Sequence, residues 1–296
     1  MAASGKFHKE IMLPTPSLPQ PASVEHVDLA LRSELLEHCT RTIAETSLQL
    51  TPFPHFLVHG FLPQEVYNEL ICSFPAPEEY EAFGYEKHQA PNGSSNRFRY
   101  QFSNRYLAKL PPGKRKLWFT IRSVLGSHDF KHTVFEKLAP GLELRYGAEL
   151  AGRGDLAGYA LPELFRETEG YSIKPHPDTR KKVVTMQFAL ASDEGQRELG
   201  TEFYRRSAAP RNWLRQPYGF EVAKKMPFSP NTVYAFSVLN TVRLKSWHGR
   251  TAIPGDFGVR NSILNIWYEQ AENGNRELID ESHWFATTAV QAFRAA

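Results

Sequence analysis

Residues 170–185, GYSIKPHPDTRKKVVT, place His176 and Asp178 two positions apart beside an apolar, β-branched run. An imidazole nitrogen and a carboxylate oxygen are both ligands for a divalent metal ion, and backbone conformation decides whether two such groups reach the same ion. In extended chain, residues i and i+2 point to one side; on a helix they face apart. Pro175 and Pro177 both disfavour helix at this point, so the pair is read as extended and able to chelate. His26-Val27-Asp28 has the same spacing but lies within a helical periodicity, and is read as surface polar residues. A His-x-Asp pair can equally be two hydrogen-bonded side chains at a strand end, so chelation requires a third ligand.

His248, in LKSWHGR, is the one histidine between positions 177 and 282, and lies 70 residues beyond Asp178 (248 − 178). That interval lets several strands travel round a barrel and return. Two histidines and a carboxylate on one face of an iron ion form a facial triad, leaving positions for a co-substrate and oxygen. A chelating dicarboxylate would need its far carboxylate held by a fixed cation, which arginine does bidentately. Arg260, 12 positions beyond His248 (260 − 248), opens VRNSILNIWYE, and Ser262 shares its face. Arg250, beside His248, is the competing cation and is expected to meet substrate or solvent. Arg260 could also be an ordinary strand-edge ion pair.

Other combinations are weaker. His128 and His132 have helical zinc-pair spacing but lack a glutamate and a third ligand, and read as a solvated helix end. GRGDLAG (152–158) lacks the phosphate-loop lysine and reads as a loop. Glu202 and Tyr204 are placed on a strand near the pocket mouth or in the core. Residues 205–219, RRSAAPRNWLRQPYG, form either a solvated loop or a lid whose Arg205, Arg206, Arg211 and Trp213 meet an anionic substrate. Arg97, Arg99 and Arg105 raise the same possibility from the first half of the chain.

The elements that must position these groups change character near residue 160. Val24, Val27, Leu31, Leu35 and Cys39 recur at helical steps over 24–46, with Ser23 as expected N-cap. HFLVHG (55–60) reads as a strand, followed by a helix with Pro63 in its first turn. Residues 114–126 and 130–138 read as helices stopped by Gly126 and Gly141, and PNGSSN (91–96) as a loop. From 160 onward, LPELFRE, YSIKP, KVVTMQFALA, TEFYR, YGFEVAK, NTVYAFSV and VRNSILNIWYE are strand-like runs separated by turn residues. Successive short strands without helices between them predict an antiparallel sandwich or barrel.

The whole chain, 296 residues with 41% hydrophobic content, is long enough for a sizeable core. A net charge of +3 carries no polyelectrolyte footprint, so nucleic acid is not an expected partner. Two cysteines fit a reducing compartment. With no apolar run of signal or membrane-spanning length, a soluble cytoplasmic protein without a membrane partner is expected. Prolines 14, 16, 19 and 21 predict an extended leader over 1–23.

HPD, SWHGR and GVRNSI, in that order, resemble the iron(II)/2-oxoglutarate-dependent dioxygenases, near their prolyl-4-hydroxylase-like branch. The longer pattern GY.I.PH.D, K..T, GT.FY, PN.V.AFSV, WHG and R.S extends that resemblance over roughly 160–270. It implies a mainly β fold with a helical N-terminal half: a double-stranded β-helix (jelly-roll, cupin-like) core flanked by helices. The chain would then be one oxygenase domain over 24–296, with helical support to 158, a catalytic core over 159–270 and a C-terminal segment. His176, Asp178 and His248 would hold Fe(II). Arg260 and Ser262 would hold the 2-oxoglutarate C5 carboxylate, and O2 would be the oxidant. TMQFALA stands where prolyl hydroxylases often carry a tyrosine, so Thr185, Gln187 or Phe188 must line the co-substrate pocket. The expected activity is hydroxylation of a small molecule, an amino acid or natural-product intermediate. A peptidyl substrate and a non-catalytic jelly-roll binding module are the alternatives.

Overall fold

The computed structural model describes residues 19–83, 93–151 and 156–295. Most of the expected leader, residues 91–92 of the PNGSSN loop and residues 152–155 of GRGDLAG lie outside these. The strands are β1 (His55–His59), β2 (Glu81–Ala82), β3 (Arg97–Gln101), β4 (Tyr159–Glu167), β5 (Ile173–His176), β6 (Lys182–Ala189), β7 (Glu202–Arg206), β8 (Phe220–Lys225), β9 (Thr232–Ser237), β10 (His248–Arg250) and β11 (Arg260–Tyr268). The helices are α1 (Leu29–Glu45), α2 (Gln64–Cys72), α3 (Asn104–Leu107), α4 (Pro112–Gly126), α5 (His128–Lys137), α6 (Ala139–Tyr146), α7 (Ala148–Ala151) and α8 (Arg276–Ala295).

The strands form two antiparallel sheets, one of seven in the order β1-β9-β6-β11-β4-β3-β2 and one of four in the order β5-β10-β7-β8. From β4 to β11 the chain changes sheet at every step except the β7–β8 hairpin. The sheets meet through aromatic packing: the Phe203 ring of β7 lies 5.5 Å from Phe236 and 5.8 Å from Tyr234 of β9.

Strand alternation gives the seven-stranded sheet two different faces. Thr185, Gln187 and Ala189 of β6 pair with Ile266, Leu264 and Ser262 of β11 on the face toward the smaller sheet. The intervening Val184, Met186, Phe188, Ile263 and Trp267 join the apolar core with the helices. Phe188 packs 4.7 Å from Phe61, and therefore lies away from the pocket it was expected to line. Trp267 packs 6.0 Å from Phe130 and 5.9 Å from Phe135 of α5. Burial of such a side chain contributes roughly 1.5–3 kcal/mol or more, so the helical layer stabilises the back of the sheet.

Three sequence expectations change. The helix expected from Val24 starts at Leu29, because Asp28 caps it by accepting a hydrogen bond from the Leu31 amide at 3.2 Å. Ser23 instead donates to Glu281 at 2.6 Å. Gly141 lies inside α6 rather than ending a helix: a β-carbon there would fall 1.9 Å from Ser237 Oγ, so the glycine permits close helix–strand packing. Finally, the first half contributes to the larger sheet not only the expected strand β1 but also β2 and β3, with Arg97 and Arg99 on β3. No helix among the described residues is long and apolar enough to cross a membrane.

Candidate metal centre

His176 closes β5 and His248 opens β10, and the two are direct cross-strand partners. Their ring centroids are 4.4 Å apart. Gly249 makes this approach feasible, since a β-carbon there would fall 2.5 Å from the Ile173 carbonyl oxygen. Each imidazole is oriented by the carbonyl two residues before it: Nδ1 of His176 lies 3.0 Å from Lys174 O, and Nδ1 of His248 lies 2.9 Å from Ser246 O. A carbonyl only accepts, so Nδ1 is the donor in both rings and Nε2 keeps its lone pair.

Asp178 follows β5 and is buried, with 4% exposure. Its Oδ1 accepts from Lys182 Nζ at 2.6 Å and its Oδ2 from Thr185 Oγ1 at 2.7 Å. An extra residue in β6, between the pairs Val184–Trp267 and Lys182–Tyr268, turns Lys182 toward Asp178 on the cavity face. One ligand atom from each of His176, Asp178 and His248 lies within 4.8 Å of the others. Burial raises the Asp178 carboxyl, but Lys182, His248 and the two hydrogen bonds outweigh it and hold the group well below the usual carboxylate range. Burial pushes His248 down to about 4, with Asp178 opposing and His176 adding to the shift. Carboxylate and neutral imidazole are the forms a metal ion needs, and the donor set fits an octahedral ion bound on one face.

Beyond the triad, three guanidiniums converge on Glu167, the last residue of β4. Arg97 Nε, Arg250 Nη2 and Arg260 Nη1 lie 3.1, 3.0 and 2.5 Å from its carboxylate oxygens. Burial raises this carboxyl, and the charges of Arg250, Arg260 and Arg97 overcome it, bringing it to about 2. Arg260, 1% exposed, also donates to Leu199 O at 2.9 Å, Ser262 Oγ at 3.3 Å and Gln187 Oε1 at 3.1 Å. Burial, with Arg250 beside it, brings Arg260 down to about 10, so it stays charged at neutral pH. A cavity of about 120 Å³ is lined jointly by the His176–Asp178–His248 triad and by Glu167, Arg250 and Arg260.

No protein-family model matches the chain, and no curated protein matches it. Among solved structures, it is similar to a Pseudomonas putida prolyl-4-hydroxylase at 11% identity and TM-score 0.43, covering 80% of this chain and 100% of that one. It is similar to the non-heme alpha-ketoglutarate-dependent epimerase SnoN from nogalamycin biosynthesis at 12% identity and TM-score 0.43, covering 80% and 82%. A 2OG-Fe(II) oxygenase family oxidoreductase from Burkholderia pseudomallei gives 12% identity and TM-score 0.42 over 81% and 91%. Likenesses this distant carry no weight on activity, which has to be read from the site.

The triad, Arg260, Arg250, Arg97, Thr185 and Gln187 meet in the cavity, though not all in their expected roles, and Ser262 lies behind them, hydrogen-bonded to Arg260 and Gln187. Thr185 lines the cavity while holding Asp178. Gln187 lines it too, with its Oε1 accepting from Arg260, Tyr234 and Thr201 and its amide donating to Ser262. Arg250 is 5% exposed and paired with Glu167, not turned to solvent. Arg205, Arg206, Arg211 and Trp213 do not line this cavity. Arg205 pairs with Glu221, Arg206 lies over Phe220, and the Trp213 indole donates to Ser207 O at 3.0 Å. Glu202 and Tyr204 are buried and hydrogen-bonded to each other. His128 and His132 are exposed beside Asp129 and Glu136.

Sequence reasoning missed Glu167 and gave no role to Lys182, Thr201 or Tyr234. Glu167 ends an alternating strand on the same parity as Glu163 and Phe165, and a charge in that position was its only signal.

Proposed function

We propose that this chain is an iron(II)- and 2-oxoglutarate-dependent oxygenase that hydroxylates a small molecule. The observation that carries the reading is one cavity lined by two Nε2-directed histidines, a buried aspartate and a buried, charged Arg260. The alternation of β4–β11 between two sheets supports a double-stranded β-helix core, with the metal ligands on β5, on the turn after it and on β10.

His176, Asp178 and His248 would hold the metal, while Arg260 and Ser262 would receive the distal carboxylate of 2-oxoglutarate. Bound iron with 2-oxoglutarate and dioxygen supplies an oxidant for an unactivated C–H bond, with succinate and carbon dioxide as co-products. The protein's part is to fix and aim. Thr185 and Lys182 hold Asp178, the Lys174 and Ser246 carbonyls fix the ring tautomers, and Leu264, Ile266 and Phe236 give the cavity an apolar wall. Arg260 is itself held by Glu167, Leu199 and Gln187, so a carboxylate meets a pre-oriented cation.

Anaerobic addition of iron(II) and 2-oxoglutarate to the metal-free protein should produce a visible metal-to-ligand charge-transfer band. His176→Ala should abolish it, and Arg260→Ala should demand far more 2-oxoglutarate to reach it. A folded wild-type protein without the band would show that the triad is only a polar cluster between two sheets.

A further inference from the structure

Arg250 lies at a junction of cavities. It lines the metal cavity and also a neighbouring pocket of about 490 Å³, whose walls include Ile173, Pro175, Tyr204, Pro217, Tyr218 and Phe220. Its side chain is only 4% exposed. Nη2 is engaged by Glu167 at 3.0 Å, and the Tyr171 ring lies 4.6 Å from the guanidinium carbon. Nη1 is buried with no hydrogen-bond partner. An unsatisfied buried N–H is costly, most of all on a charged group, and a ligand carboxylate would complete this one.

The charge around it is unbalanced in one direction. Three guanidiniums share the single carboxylate of Glu167. A distal co-substrate carboxylate on Arg260 would still leave Arg250 with a free donor. In the outer pocket both charged lining residues, Lys174 and Arg250, are basic. The remaining walls combine rings and apolar faces with the uncharged polar Ser172, Gln216 and Thr251, in a pocket of a size suited to a small organic molecule. Arg250 is two residues from His248 on β10 and pairs with Ile173 on β5, the strand that ends in His176. A molecule anchored at Arg250 therefore lies directly beside the metal ligands.

We propose that the primary substrate is a small carboxylate with an aromatic or apolar body: Arg250 Nη1 receives the carboxylate, and Tyr204, Tyr218 and Phe220 flank the body. This deepens the oxygenase reading and rests on it for the word substrate, whereas the binding preference is testable without turnover. Arg250 thus selects for an anion, while Arg260 serves the co-substrate.

The test is calorimetric titration of the full chain with benzoate, 3-phenylpropanoate and 4-phenylbutanoate, each against its primary amide. It is run metal-free and again with iron(II) and saturating 2-oxoglutarate under anaerobic conditions. At least one acid should bind tenfold or more tightly than its amide in both conditions. Arg250→Gln should erase that difference, Lys174→Gln should keep it, and Tyr218→Ala should weaken acid and amide alike. If Arg250→Gln does not fold by thermal melt, Arg250→Lys is read instead and should retain part of the preference. The proposal is overturned if no acid is preferred, if the preference survives in Arg250→Gln or is undiminished in Arg250→Lys, or if saturating 2-oxoglutarate removes it, since the acids would then sit on Arg260. The charge-transfer band separates the two readings: a band without acid preference refutes only the substrate class, and acid preference without a band refutes only the oxygenase.

Discussion

Asp178 would be the negatively charged metal ligand, and both its oxygens are already held by protein donors, Lys182 on Oδ1 and Thr185 on Oδ2. Partners of this kind set the angle at which a ligand meets its metal, and losing one typically costs about 10–100-fold in metal affinity. Thr185→Val removes the Oδ2 donor at nearly constant volume. Metal-free Thr185→Val should remain folded, and its iron(II) affinity by competition with a chromogenic chelator should fall by about 10–100-fold. Unchanged affinity would mean that Asp178 is positioned by the backbone alone. Lys182→Met should act in the same direction with a smaller loss of order, because that side chain is 21% exposed and water can replace it. That His176, Asp178, His248 and Arg260 come together was legible in the sequence from residue type, the His-x-Asp spacing and the order of HPD, SWHGR and GVRNSI. Lys182 and Glu167 were not, because their roles depend on a strand irregularity and on partners from distant segments.

At the scale of elements, long alternating strands are written plainly in the sequence and short ones are not. β6, β9 and β11 fall within the expected runs and β4 overlaps its run, beginning two residues before LPELFRE, since alternation over six to nine residues is a strong pattern. β10 has three residues, too few for any pattern, yet it carries both His248 and Arg250. β3, RFRYQ, reads as a charged stretch because its half-buried arginines are accommodated only by pairing with Glu167 and Glu163 of the neighbouring strand. What holds β10 in place is the absence of a side chain at Gly249, where the Ile173 carbonyl occupies the space a β-carbon would need. Gly249→Ala should force β10 away from β5 and cost about 1–3 kcal/mol as overpacking. Because His176 and His248 are direct partners across that pair, iron(II) affinity should fall by more than the stability loss explains. Chemical denaturation and metal titration on the same variant check this; full metal affinity would show that the histidines are held independently of the strand pairing.

For the whole molecule, Glu167 links what the two sheets hold separately. Arg97, Arg260 and Glu167 belong to the seven-stranded sheet and Arg250 to the four-stranded one, so a single buried carboxylate joins the sheets across the cavity. Its ordinary value is 4.5, and in the fold it is brought to about 2. A carboxyl whose value is depressed by folding contributes stability that is fully present above 4.5 and is lost as pH falls toward 2. Thermal melts of the wild type should therefore decline through that window, and Glu167→Gln should flatten the decline because the titrating group is gone. At neutral pH the same variant leaves three buried guanidiniums without their anion, a change of the kind that costs about 3–5 kcal/mol. Its melting temperature should fall accordingly, and an added dicarboxylate such as 2-oxoglutarate should recover part of the loss by supplying the missing charge. Recovery by 2-oxoglutarate but not by its uncharged dimethyl ester would mark the cluster as a carboxylate receptor that Glu167 keeps assembled between ligands. A variant as stable as wild type, with the same acid limb, would mean that the sheets are held by Phe203, Phe236 and Tyr234 and that the charge cluster contributes nothing to their union.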